Sequence, residues 1–164
     1  MNLAPAQNAL FKEAMASFPS GVTIVTTTDA NGRWWGFTAT SFCSVSMQPP
    51  LVLVCLSETA ECHPAFTTAQ SWVVHVIHPD HADLAVRFAT RGADKFAEAG
   101  FRADEHGLPV LDEACVTLRC SLHARYSGGD HAILVGRVEH TRIDDKQVPA
   151  LYFRRGFRAL PAAA

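Results

Sequence analysis

Val22-Thr23-Ile24-Val25-Thr26-Thr27-Thr28 is rich in β-branched residues. Such side chains fit a pleated surface and lose rotamer freedom in a helix. A run of this kind commits the start of the chain to a sheet. Asp29-Ala30-Asn31-Gly32 follows it, and Asn-Gly favours a hairpin turn. Trp34 to Ala39 is therefore expected to return antiparallel to the first strand.

The same signals recur along the chain. Phe42 to Ser46 continues the extended pattern until Pro49-Pro50 interrupts it. Leu51-Val52-Leu53-Val54-Cys55-Leu56 is an unbroken apolar run and predicts a strand buried on both faces. Trp72 to Ile77, Ala114 to Tyr126 and His131 to Arg142 read as further strands, with Leu151-Tyr152-Phe153 as a short last one. Helices are few. Ala6 to Ser17 places Leu10, Phe11, Ala14 and Met15 on one side at helical spacing, and Pro19-Ser20-Gly21 ends it. Pro64 to Ala69 suits a short helix with proline in its first turn, and His81 to Ala89 a second one. Arg91 to Gly107 is polar and too long for a tight connection, which hints at function. Six or so strands with few helices imply an antiparallel barrel.

The 164 residues fit one domain spanning 1–164, and 48% hydrophobic residues can bury a real core. A net charge of -2 gives no strong field for nucleic acid or an anionic membrane. No apolar run reaches the roughly 20 residues needed to span a bilayer. The start, Met1-Asn2-Leu3-Ala4-Pro5, lacks the pattern of a secretory signal, so a cytoplasmic location is expected. Pro161-Ala162-Ala163-Ala164 is expected to be loose. The five cysteines are odd in number and form no CxxC, which argues against a disulfide framework. Cys55 and Cys120 sit among apolar neighbours and read as small core residues. Among eight histidines, His75 and His78 are three apart in a stretch that reads as strand, so they point to opposite faces. Without HExxH or a Cys/His pairing, no metal is expected.

Three segments are candidates to carry chemistry. Gly36-Phe37-Thr38-Ala39-Thr40-Ser41-Phe42-Cys43-Ser44-Val45-Ser46 crowds hydroxyls among apolar residues. A flat heteroaromatic ring needs both qualities, although, read alone, the segment is explained more cheaply as a half-exposed strand with serine and threonine facing water. Ser57-Glu58-Thr59-Ala60-Glu61-Cys62-His63 joins a strand end to a helix start, where free amides hold phosphate. A plain capped helix reads the same way, and two glutamates repel phosphate unless they point outward. Gly128-Gly129-Asp130-His131 allows close approach of a ligand, with Asp130 able to orient His131; an ordinary hairpin connection is the alternative.

Taken in order, GFTATSFCSVS, PPLVLVCL, ADKF, GLPVLDEA, GGDHAILVGRV and LYFRRGF resemble the short-chain flavin reductases of two-component monooxygenase systems. The resemblance runs from about Phe11 to Leu160. It implies an antiparallel split β-barrel with a few peripheral helices, binding FMN, or FAD in some members, and working as a homodimer. It also implies hydride transfer from NADH or NADPH to the flavin, which then serves a monooxygenase partner. A non-catalytic flavin-binding protein on the same barrel is the alternative. Carried over by position, Thr38, Ala39, Thr40, Ser41 and the nearby Ser44 line the ring. Cys55, Leu56 and Ser57 lie beside ring and ribityl chain, and Ala60, Glu61 and Cys62 form the phosphate turn. The family usually has serine, threonine or a basic residue where this chain has Glu61 and Cys62. Phosphate then relies on backbone amides, Ser57 or Thr59. Lys95 and Phe96 approach the flavin from the long loop, and His131 stands near the nicotinamide as a positioning group. Tyr152, Arg154 and Gly156 match the C-terminal segment near the dinucleotide.

Overall fold

The computed structural model of the chain describes residues 4–161. Residues 1–3 and 162–164, which include most of the end expected to be loose and part of the segment read for a signal, lie outside them. The element order is α1 (Pro5–Ala16), β1 (Ser20–Gly21), β2 (Thr23–Thr28), β3 (Trp34–Ala39), β4 (Cys43–Met47), β5 (Pro50–Ser57), α2 (His63–Thr68), β6 (Ser71–Val76), a 3₁₀ turn (Pro79–His81), α3 (Ala82–Ala89), β7 (Phe101–Ala103), β8 (Pro109–Leu111), β9 (Val116–Ser127), β10 (His131–Ile143), β11 (Ala150–Phe153) and β12 (Gly156–Ala159).

Seven strands form one sheet in the order β3-β2-β6-β9-β10-β5-β4, every pairing antiparallel. Its two edge strands, β3 and β4, are consecutive in the chain and only residues 40–42 separate them. So short a link between opposite edges forces the sheet to roll onto itself, leaving it unpaired between β3 and β4. The expected antiparallel barrel is thus present. Its interior is filled by Val25, Phe37, Val52, Val54, Leu56, Phe66, Trp72, Val74, Cys120 and Leu134. Gly136 admits the Trp72 indole, since a β-carbon there would stand 2.8 Å from the ring.

A second core covers the outside of β2, where Ile24 and Val22 meet Leu84, Ala85 and Phe88 of α3 and also Leu111, Ala114 and Ala150. This double burial explains the β-branched run of residues 22–28. Thr23, Thr26 and Thr27 are buried and Thr28 half-buried, yet each hydroxyl is satisfied. Thr23 donates to the Ala39 carbonyl, Thr26 to Pro109 at 2.6 Å, Thr27 to Ser71 and Thr28 to Gly107. His75 adds a further tie between layers: its Nδ1–H donates to the Ile24 carbonyl at 2.9 Å, and Nε2 accepts the Leu111 amide at 3.2 Å.

Several expectations need correction. α1 forms, but none of its residues is buried; Leu10 is 61% exposed and the following Phe18 70%. β5 is not buried on both faces, because Leu53 and Cys55 are only half-buried, while Cys120 is fully buried as expected. The polar stretch 91–107 is not all loop, since β7 lies within it and pairs with β8. His75 lies in β6 but His78 lies beyond its end, so strand alternation does not relate them. Strands β11 and β12 turn through Arg154 and Arg155, both at positive φ (48° and 61°). That strained turn is held against α1: the Arg154 amide donates to the Ala16 carbonyl, and Arg155 pairs with Glu13 at 2.6 Å.

Candidate functional site

The register of β5 against β10 builds the site. His131, the first residue of β10, lies across from Ser57 at the end of β5, and the next pairs are Ala132 with Leu56 and Ile133 with Cys55. The hairpin before His131 closes with Gly129 at φ +75°, a conformation that favours glycine. The Gly128 amide donates to the His131 carbonyl, and the Glu58 amide to that of Asp130. Asp130 accepts the His131 Nδ1–H at 2.7 Å, and that bond holds the Asp130 carboxyl below its ordinary range. With Nδ1 engaged, Nε2 is the ring nitrogen left for a ligand.

A cleft of about 360 Å³ opens at this strand end. It collects Thr38, Cys55, Leu56, Ser57, Thr59, Ala60, Glu61, Cys62, Lys95 and His131, all of them read from the sequence as site residues. Phe37, Phe88, Ala89 and Arg91 complete the lining, and sequence reasoning missed these four. Phe37 sat within the segment already singled out, and Arg91 begins the polar stretch that hinted at function; Phe88 and Ala89 have no local signal. The Ser57 and Thr59 hydroxyls lie 3.0 Å apart, and the Thr59 amide donates to Ser57 Oγ, so the turn after β5 is shaped by its own side chains.

Arg91 brings a cation to the turn after β5. Its guanidinium donates to the Thr59 carbonyl. The adjacent Gly92 amide donates to Glu61 Oε2 at 2.9 Å, which draws that carboxylate towards the loop. The cation at this turn therefore comes from residue 91, after α3. Lys95 brings a second one, its Nζ donating to the Gly36 carbonyl at 3.4 Å. Cys62 borders the cleft, but burial pushes its thiol up to about 11, so it offers no thiolate.

Other expected site residues are placed differently. The Thr38 hydroxyl is spent on the Ala85 carbonyl at 2.6 Å, which fastens α3 to β3. Ala39 faces the barrel core. Ser41 Oγ accepts the Cys55 amide at 2.9 Å and bridges to β5 across the link between the sheet edges. Thr40 and Ser44 are exposed and do not line the cleft. Phe96 packs edge-on to Trp34 (5.4 Å) and Phe88 (5.1 Å), anchoring the loop that carries Lys95. It borders an adjoining hollow of about 420 Å³ that shares Glu61 and Lys95 with the cleft. Tyr152, Arg154 and Gly156 lie in the β11–β12 hairpin and line neither cavity.

A cleft with an aromatic and aliphatic wall, hydroxyls on one turn and cations beside that turn suits a flat ring with an anionic tail. The fold and cleft thus define an antiparallel barrel with a small-molecule cleft at one strand end. Residues 15–161 match the flavin reductase like domain, and the chain belongs to that family. It is 47% identical over 97% of its length to the actinorhodin polyketide dimerase of Streptomyces coelicolor, covering 90% of that protein. It is 44% identical over 90% of its length to the NADH:riboflavin 5'-phosphate oxidoreductase of Streptomyces pristinaespiralis, covering 85% of it. The NADH:FAD oxidoreductase of Streptomyces globisporus, solved with NAD and FAD fragments, superposes with a TM-score of 0.91 at 31% identity, over 100% of this chain and 99% of that one. Further relatives include the reductase components of a monooxygenase and of a halogenase.

Proposed function

We propose that this chain is an NAD(P)H:flavin oxidoreductase acting on FMN, or on FAD, and delivering reduced flavin to a partner monooxygenase. The observation that carries this reading is the convergence of Arg91, Lys95 and the Asp130–His131 pair on one cleft walled by Phe37, Leu56 and Phe88. Its volume falls in the range of small-molecule sites, roughly 300–1,000 Å³. When bound, the flavin supplies the hydride acceptor and the nicotinamide the donor. The chain's own residues bind and align. Arg91 and the Ser57–Thr59 turn hold the phosphate end, Lys95 places positive charge between the two hollows, and Phe37 and Leu56 give apolar contact. His131, oriented by Asp130, positions the nicotinamide end. Bringing donor and acceptor to near-attack distance is the protein's main contribution to rate.

A non-catalytic flavin carrier on the same barrel needs no oriented histidine at the cleft mouth, which favours the enzyme. Steady-state oxidation of NADH and NADPH, with FMN, FAD and riboflavin titrated separately, tests the reading. Saturable, flavin-dependent oxidation is expected, and its absence with every pair would reject the reductase assignment.

The proposal includes a homodimer in the cytoplasm. Among the described residues no helix is long and apolar enough to cross a membrane. Leu10, Phe11 and Met15 of α1, with Phe18 after it, leave an apolar face uncovered in one chain. A second copy of the chain would cover it. Light scattering after size exclusion is expected to give twice the 17.8 kDa chain mass. A Phe11→Glu/Met15→Glu variant is expected to run as a monomer, and a monomeric wild type would reject the dimer.

A further inference from the structure

A second cluster lies outside the cleft, at the start of α3. His78 precedes the 3₁₀ turn Pro79–His81 and His81 closes it. Residues three apart eclipse in such a turn, and the two imidazole rings accordingly lie 3.8 Å apart, 36° from parallel. Glu113, from the segment between β8 and β9, brings a carboxylate to the same place. One ligand atom from each of the three lies within 4.8 Å of the others.

The histidines are not explained by packing alone. His78 is only 7% exposed, and its Nε2 is buried with no hydrogen-bond partner among the described residues. Nδ1 of His81 is likewise buried and unpartnered. A buried ring nitrogen left unsatisfied costs roughly 1–3 kcal/mol, so two of them on neighbouring imidazoles point to a ligand that the chain itself does not supply. His81 and Glu113 also border a cavity of about 500 Å³, lined further by Arg87, Glu98 and Asp112.

We propose that His78, His81 and Glu113 form a binding site for a divalent transition-metal ion of the zinc class. Two imidazole nitrogens and one carboxylate oxygen are the donor set such ions take, with the fourth position open to water from the cavity. Tetrahedral coordination brings ligand atoms to roughly 3.3 Å from one another. The exposed Glu113 side chain can swing to close that gap. The ion ties the head of α3 to the segment before β9, and the far end of α3 carries Phe88 and Ala89 into the cleft. The His-x-x-His spacing at 78–81 was present in the sequence; only the 3₁₀ turn and Glu113 turn it into a site and reverse the expectation of no metal.

The test uses the full chain stripped with a chelator and then exposed to Zn²⁺ or Co²⁺ alone, without flavin. Wild type is expected to retain about one equivalent of Zn²⁺ after gel filtration, to melt several degrees higher with it, and to show the visible absorption of low-symmetry Co²⁺. Glu113→Gln, at an exposed position, and His81→Asn are each expected to weaken binding about tenfold or more. His123→Ala, an exposed histidine elsewhere, is expected to bind as wild type. No Zn²⁺ retention by wild type, or equal retention by Glu113→Gln and His81→Asn, overturns the site and assigns any binding to scattered surface histidines.

Discussion

Arg91→Ala is expected to raise the dissociation constant for FMN roughly ten- to a hundredfold, the worth of a charge-assisted hydrogen bond of about 1.5–3 kcal/mol. Riboflavin, which has no phosphate, is expected to bind as before. Arg91 is exposed and makes no core contact, so the melting temperature should hardly move. The contrast between the two flavins isolates the phosphate end. Glu61 and Cys62 do not supply the charge there, since one is drawn to the Gly92 amide and the other is a buried thiol. Flavin titration by fluorescence checks this, and equal losses for FMN and riboflavin would remove Arg91 from the phosphate end.

His75→Phe is expected to destabilise the fold by about 1–3 kcal/mol, because the Leu111 amide loses its buried acceptor and the Ile24 carbonyl its side-chain donor. The phenyl ring keeps the volume and the edge-on contact with Phe101, so lost hydrogen bonds account for the effect. The same residue makes stability fall with acid. Burial lowers the His75 pKa to about 4 from an ordinary 6.5. Between those values the unfolded chain binds a proton that the folded chain refuses. Stability is therefore full above pH 6.5 and declines as pH drops towards 4, by up to about 3 kcal/mol. Denaturant melts of wild type and His75→Phe across this window check the sign. The variant starts lower, and its curve should be flatter by that amount; parallel curves would show that His75 titrates in the folded state as it does in the unfolded one.

Much of this was legible in residues 20–57, where β-branched runs, Asn-Gly and the apolar run of β5 fix strand and turn locally. The cleft was legible where its residues sit on one strand end, as from Cys55 to Cys62, and at the Gly-Gly-Asp-His hairpin. Arg91 was not, because a lone arginine in a polar stretch acquires its place only when α3 packs on β3 through Gly36, where a β-carbon would stand 2.6 Å from Phe88. The hydroxyls of Thr38 and Ser41 carried a real signal of unusual polarity. The fold spends them on α3 and β5, a choice periodicity does not reveal. For α1, helical spacing identified an apolar face and could not say that this chain leaves it uncovered. Strand β12 escaped notice because its turn runs through two arginines in a conformation that sequence rules reserve for glycine and asparagine.

On the proposed function, this cleft aligns a nicotinamide donor with a flavin acceptor. Anaerobic stopped-flow mixing of the FMN-loaded protein with NADH, and separately with NADPH, measures it most directly. Rapid, single-exponential bleaching of the oxidised flavin band is expected with at least one nicotinamide, saturating with its concentration and slowed in His131→Ala while FMN affinity holds. Tight flavin binding with no bleaching by either nicotinamide would contradict it and leave a flavin carrier in its place.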